Sequence, residues 1–243
     1  MESIAVFGAT SAIAKAVLER WMERGENLIL IGRSEKALKE LNQALEKKWG
    51  RTMPTVVWDI LEFDQHEKKF KALISEHQIS GLFMAVGKMI PQEECDRDPE
   101  KTRRLIDINF TGPVFIINLF TEYFKSKNQG FISCISSIAG DRGRGKVLAY
   151  GSAKAGLSAY LSGLRHRLAK TNIFIQTIKP GFVETPMTMG LKSLLMVKPE
   201  VVAKEIIRAL DKKCDVIYTP WYWRYIMLII KSIPNFIFRN LKF

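Results

Sequence analysis

Tyr150 and Lys154 stand four residues apart in AYGSAKAGL, and Ser137 precedes the tyrosine by thirteen residues in ISSIAG. On a helix that spacing puts the phenol and the ammonium on one face. An ammonium beside a phenol favours the phenolate and lowers its pKa from about 10, which makes the tyrosine a usable acid or base near neutral pH. Ser137 leaves the end of an apolar run and is placed to bond a carbonyl oxygen. Together the three residues describe proton transfer at a carbonyl oxygen.

A second group sits near the start of the chain. Ile4–Phe7 is apolar and runs into Gly8-Ala-Thr10-Ser11-Ala12-Ile13-Ala14. A strand, a glycine turn and a helix N-terminus make an anion cradle, because the first N–H groups of the helix have no partner within it. Gly8 keeps the position where positive φ is needed. Ala12 and Ala14 replace two further glycines; Ala12 is expected to meet a pyrophosphate and Ala14 to pack helix on strand. After the next apolar run comes Gly32-Arg33-Ser34, where an NAD site usually carries an acidic residue for the ribose 2′-OH. A guanidinium suits a 2′-phosphate instead, so NADP(H) is favoured over NAD(H). Asp59, following Trp58, is placed to accept a bond from an adenine amino group.

The elements that must position these groups alternate along the chain. Apolar runs at Ile4–Phe7, Leu28–Ile31, Thr55–Trp58, Leu82–Val86, Phe131–Ile135, Ile173–Ile178 and Val216–Tyr218 suit buried parallel strands. Between them lie segments of helical period. Ser34 is expected to cap one bearing Leu38, Leu41 and Leu45 on one face. Asp64 and Glu67 form a capping-box pattern, and Pro199 opens another helix. Alternation of this kind predicts an α/β fold, a Rossmann-like doubly wound parallel sheet with helices on both faces. Ligands then bind beyond the carboxyl ends of the strands, so the residues just after each apolar run are the ones that could form a site. Residues 1–219 read as one catalytic domain and 220–243 as a C-terminal extension.

The net charge of +12 favours an anionic partner. No nucleic-acid-binding motif accompanies it. Three scattered cysteines give neither a metal spacing nor a disulfide framework, which points to a reducing, cytoplasmic compartment. The three histidines are isolated and read as surface helix residues, so no metal site is expected. Arg142 and Arg144, in GDRGRGK between Ser137 and Tyr150, offer two guanidiniums to an anionic substrate; solvated loop arginines are the competing reading. The tail, Pro220–Phe243, has Arg224, Lys231, Arg239 and Lys242, no acidic residue and seven aromatics. That composition suits a helix in a membrane interface. An apolar helix packed in an oligomer interface or against the substrate cleft is the alternative.

Taken together, these motifs resemble the short-chain dehydrogenase/reductase family along nearly the whole chain. Asn109 in DINFTGP matches the family's active-site asparagine, and Pro180, Gly181, Val183 and Thr185 in KPGFVETPM match its cofactor segment. Where the family usually has Asn-Asn-Ala-Gly, this chain reads Met84-Ala85-Val86-Gly87. The resemblance implies seven strands in the order 3-2-1-4-5-6-7, a homodimer or homotetramer, and NADP(H) or NAD(H). It also implies roles: Tyr150 donates the proton, Ser137 holds the carbonyl oxygen, Lys154 binds the nicotinamide ribose, Asn109 holds a water and Thr185 touches the carboxamide. The tail, with Arg224-Tyr225, Ile233-Pro234 and Ile237-Phe238-Arg239, is similar to a branch that reduces a lipid-linked phosphorylated keto-sugar, the decaprenylphosphoryl-2-keto-erythro-pentose reductases. That branch implies a peripheral membrane location and a role in making a cell-wall precursor. A soluble ketoacyl-type reductase and a non-catalytic cofactor-binding regulator remain as alternatives at this point.

Overall fold

The computed structural model describes residues 2–190 and 193–241. Lys242, one of the tail's basic residues, lies outside the described residues. Seven strands form one parallel sheet: β1 (Glu2–Phe7), β2 (Leu28–Gly32), β3 (Thr55–Val57), β4 (Gln78–Met84), β5 (Gly130–Ile135), β6 (Ile173–Pro180) and β7 (Val216–Thr219). Their order is β3-β2-β1-β4-β5-β6-β7, and every pairing is parallel. The doubly wound fold and the strand order expected of the sequence are thus present.

The helices are α1 (Ala12–Glu23), α2 (Glu35–Trp49), α3 (His66–Glu76), α4 (Gln92–Arg97), α5 (Pro99–Ile106), α6 (Gly112–Lys127), α7 (Leu148–Arg167), α8 (Pro199–Asp211), α9 (Trp223–Ser232) and α10 (Asn235–Phe238). Ser34 caps α2 by accepting from the Ala37 N–H at 3.3 Å, and Leu38, Leu41 and Leu45 are its buried face. Pro199 occupies the first turn of α8. One apolar cluster fills the space between the sheet and α3, α6 and α7, and a second lies under α1, α2 and α8. Both faces of the sheet are therefore covered, which is why its strands read as continuous apolar runs.

Two local expectations fail. Asp64 and Glu67 form no capping box: a short 3-10 turn, Phe63–Gln65, leads into α3, whose Gln65 cap makes no side-chain bond. His66 is a core residue, 1% exposed, and not a surface one. Its Nδ1 accepts from Trp58 Nε1 at 2.9 Å, and its Nε2 lies 3.2 Å from the Ile60 carbonyl. Burial holds its pKa below the usual histidine value, so the neutral ring, donating to Ile60 and accepting from Trp58, is part of the fold.

Gly81 shows how tightly the sheet is packed. It pairs with Phe131 across β4 and β5, and a Cβ there would lie 2.1 Å from the Phe131 ring. A strand glycine in this setting admits a neighbour that no larger residue would. Gly81→Ala is expected to lower the unfolding free energy by about 1–3 kcal/mol, read as an earlier midpoint in urea; an unchanged midpoint would show that the ring moves freely aside.

Candidate active site

The carboxyl ends of β1, β4, β5 and β6 surround a cleft of about 660 Å³. On one side Gly8 turns the chain out of β1 with φ +72°. A Cβ on Gly8 would lie 2.9 Å from the Ala85 carbonyl carbon and oxygen. The glycine therefore lets the β1 turn lie directly on the segment leaving β4. Ser11 caps α1, its hydroxyl accepting from the Ala14 N–H at 3.3 Å. Thr10, Ser11, Ala12 and Ile13 line the cleft. The N–H groups of Ala12 and Ile13 open the helix and have no acceptor within it. Ala14 is fully buried in the core between helix and sheet.

On the opposite side, α7 carries Tyr150 and Lys154, and the segment after β5 carries Ser137; all three line the cleft. Lys154 is 2% exposed. Its Nζ donates to the Ile135 carbonyl at 3.0 Å, and desolvation pushes its pKa down to about 8. The lysine lies near the tyrosine, with Nζ 6.0 Å from the ring centroid. The sequence leads one to expect a phenol made more acidic by this ammonium. The structure differs: burial raises the Tyr150 pKa, and the opposing influence is a hydrogen bond with Ser137. Ser137 also accepts from the Ala139 N–H at 3.0 Å.

Gly87 lines the cleft between Lys154 and Asn109: a Cβ on it would stand 3.6 Å from Lys154 Nζ and 3.2 Å from Asn109 Oδ1. Asn109 sits in a turn of π-helix, Asp107–Thr111, and is wholly buried. Its amide donates to the Lys88 and Leu105 carbonyls at 2.7 and 2.9 Å, and Oδ1 accepts from the Lys88 N–H at 3.2 Å. Its side chain is thus used to hold residues 87–88 in place, one layer behind the cleft wall. Nothing in the sequence announced the π-turn, a distortion common at functional sites.

The third wall is Pro180, Gly181, Phe182, Val183 and Thr185. Thr188 folds back on this segment and donates to the Thr185 carbonyl at 3.1 Å. Arg33 and Asp59 stand apart from the cleft, just beyond β2 and β3. The Gly8 and Ala9 N–H groups both bond the Ile31 carbonyl, which brings the β2 end against the glycine turn. Arg33 is exposed and makes no ion pair among the described residues. Asp59 uses Oδ1 to accept from the Leu61 N–H at 3.1 Å.

The two candidate substrate arginines separate. Arg144 lines the cleft with Lys146, and its Nε is buried without a hydrogen-bond partner among the described residues. Arg142 does not line it. Its guanidinium donates to the Lys231 carbonyl at 2.9 Å and Asn235 Oδ1 at 2.6 Å, and lies 4.3 Å from the Phe238 ring centroid. Its guanidinium is engaged by the tail, so the pair offered to one anion is reduced to Arg144. Sequence reasoning missed the neighbouring Asp141, 3% exposed at its side chain, which pairs with Lys179 and accepts from the Tyr218 hydroxyl at 2.6 Å. No signal in the sequence joins these three, which come from separate strand ends.

The residues present fit a dinucleotide: an anion-binding helix start, a glycine turn, an exposed arginine past β2, and a buried ammonium at the far end of the cleft. Among the described residues no group of histidine, cysteine and acidic side chains is arranged to hold a metal, and no helix is long and apolar enough to cross a membrane.

Residues 2–194 match the short chain dehydrogenase family. The chain is 28% identical over 240 residues to an uncharacterized oxidoreductase of Mycobacterium tuberculosis, covering 98% of this chain and 96% of the relative. It is 29% identical to one from Streptomyces coelicolor, at 98% and 95% coverage. Its fold is similar to the bulky-bulky ketone specific alcohol dehydrogenase of Comamonas testosteroni, with TM-score 0.82, 20% identity, and 97% and 96% of the chains covered. It is also similar to a short-chain dehydrogenase of Sphingobium yanoikuyae in complex with NADPH, with TM-score 0.79, 20% identity and 97% of each chain covered. The chain belongs to the short-chain dehydrogenase family, a family of oxidoreductases.

The buried lysine has a consequence for stability. Its pKa is about 8 in the folded protein against an ordinary 10.5. Between those values the unfolded chain holds a proton that the folded chain does not, so raising pH favours folding. The unfolding free energy is expected to rise across that window, and Lys154→Met is expected to remove this part of the rise. Parallel urea titrations at several pH values check it; identical pH profiles for both proteins would refute the burial argument.

Proposed function

We propose that this short-chain dehydrogenase uses NADPH to reduce a ketone to an alcohol, on a substrate with an anionic group and an apolar portion. The observation that carries this reading is one cleft joining Ser137, Tyr150 and the buried Lys154 to the open first turn of α1. Gly8, Thr10, Ser11, Ala12 and Ile13 would hold the pyrophosphate, Arg33 the 2′-phosphate and Asp59 the adenine amino group. Gly87, Pro180, Gly181, Val183, Thr185 and Lys154 would hold the nicotinamide riboside. The bound nicotinamide supplies the hydride.

The chain's own groups then handle the oxygen. The Ser137 hydroxyl orients the carbonyl, and the Tyr150 hydroxyl donates its proton to the oxygen as negative charge develops there. A phenol kept protonated by burial is suited to donate. Lys154 steadies the phenolate that results. Both amide N–H groups of Asn109 are taken by the Lys88 and Leu105 carbonyls, so its contribution is to fix the Gly87–Lys88 segment beside Lys154.

Arg144 and Lys146 place positive charge in the cleft, while Met89, Ile138, Phe182 and Met187 make the wall apolar. A lipid-linked phosphorylated keto-sugar has both features, and it is the finer substrate we propose. The tail supports it. The outer side of α9 exposes Tyr225, Leu228 and Ile229 beside Arg224 and Lys231, and the chain has no acidic residue after Asp215. Such a surface suits an anionic membrane interface.

Two experiments separate the parts of this reading. Tyr150→Phe is expected to reduce turnover at least about a hundredfold, the scale of general acid catalysis, with NADPH binding retained. Arg33→Ala should weaken NADPH but not NADH. Full activity in the first variant, or equal loss of both cofactors in the second, would contradict the assignment. Independently, Leu228→Glu/Ile229→Glu, at exposed positions, should abolish sedimentation with phosphatidylglycerol vesicles; unchanged sedimentation would exclude this face as the lipid contact.

A further inference from the structure

The C-terminal segment also turns inward. Trp223 is 4% exposed and lies on Gly181, where a Cβ would stand 1.9 Å from its Nε1. Its ring meets Phe182 edge-on, with centroids 5.3 Å apart. Trp223 and Met227 form a cluster with Ile138, against which Phe182, Tyr218 and Ile226 pack. Gly181, Phe182 and Ile138 line the cleft, so two of its walls rest on α9.

Polar groups tie the same pieces together. Asp141 binds the strand ends through Lys179 of β6 and Tyr218 of β7. The next residue, Arg142, reaches the other way. It bonds the last turn of α9 through the Lys231 carbonyl, bonds Asn235 at the start of α10, and covers the Phe238 ring. The segment bearing Ser137 and Arg144 is thereby held between the sheet and the tail.

We infer that Arg142 is a positioning residue through which the C-terminal segment sets the shape of the cleft, so that NADPH binding and seating of the tail reinforce each other. Coupling of this kind is reciprocal: what orders the walls favours both ligand and tail, and loosening one weakens the other. The inference deepens the reading of the cleft as an NADPH site and rests on that reading only in its cofactor arm.

Hydrogen–deuterium exchange of the full chain tests it, with and without NADPH. In the free protein, Arg142→Ala is expected to speed exchange in residues 223–238 and also in 137–147 and 181–188, leaving β1 and β4 unchanged. Asn235→Ala, which removes one exposed bond, should do the same to a smaller extent, and it serves if the arginine variant fails to fold. In the wild type, NADPH should slow exchange at residues 8–13 and in 223–238. Arg142→Ala should lose the tail's share of that protection and bind NADPH at least about fivefold more weakly, with Arg142→Lys recovering part of both. Faster exchange confined to 223–238, with unaltered NADPH affinity, would overturn the inference. Absence of protection at 8–13 in the wild type would instead defeat the cofactor reading, and the free-protein comparison would still decide the coupling.

Discussion

The site depends on one buried ammonium. Lys154 lies on α7 with its Nζ held by the Ile135 backbone carbonyl, in surroundings that disfavour its charge. A cation in such a place needs partners, and the fold supplies them sparingly. Cys134 beneath it is no counter-ion, because burial pushes that thiol up to about 12. A Cβ on Gly87 would stand 3.6 Å from the ammonium, and in the reading we propose a ribose with two hydroxyls would answer the remaining donors. Around this demand the other features fall into place: β5 must end at Ile135, α7 must pack closely enough that Gly140 abuts the Lys154 backbone, and Asn109 must hold the Gly87 segment back.

Much of this was legible in the sequence because it rests on local rules. Strands buried on both faces read as apolar runs. Ser34 and Pro199 marked helix starts by their own chemistry. Tyr150 and Lys154 shared a face because helical period demands it, and Gly8 needed positive φ. What was hidden depends on contacts between distant segments. Spacing alone does not give the acidity of Tyr150, since burial raises its pKa and outweighs the opposing hydrogen bond with Ser137. His66 gave no sign of being buried, for its partners are a tryptophan eight residues away and a carbonyl. Arg142 and Arg144 are neighbours in sequence with opposite directions in space, and only the position of the tail decides between them.

The tail links the two halves of the account. Its composition, aromatic and basic without acid, pointed to lipid or to protein packing. The inner side of α9 covers Gly181 and Ile138, whereas Tyr225, Leu228 and Ile229 remain exposed. A helix with one apolar face on the cleft wall and another towards solvent can serve both roles at once. The substrate we propose has a matching division, with an anion for Arg144 and a hydrocarbon chain for the apolar side.

The central claim is that the cleft beside Lys154 receives the nicotinamide end of NADPH. A crystal structure of the protein with NADPH tests it most directly. The account predicts the pyrophosphate at the start of α1, the nicotinamide ribose hydroxyls within hydrogen-bond reach of Lys154 Nζ, and the 2′-phosphate against Arg33. A cofactor bound with its nicotinamide outside this cleft, or with Lys154 making no contact with it, would contradict the account.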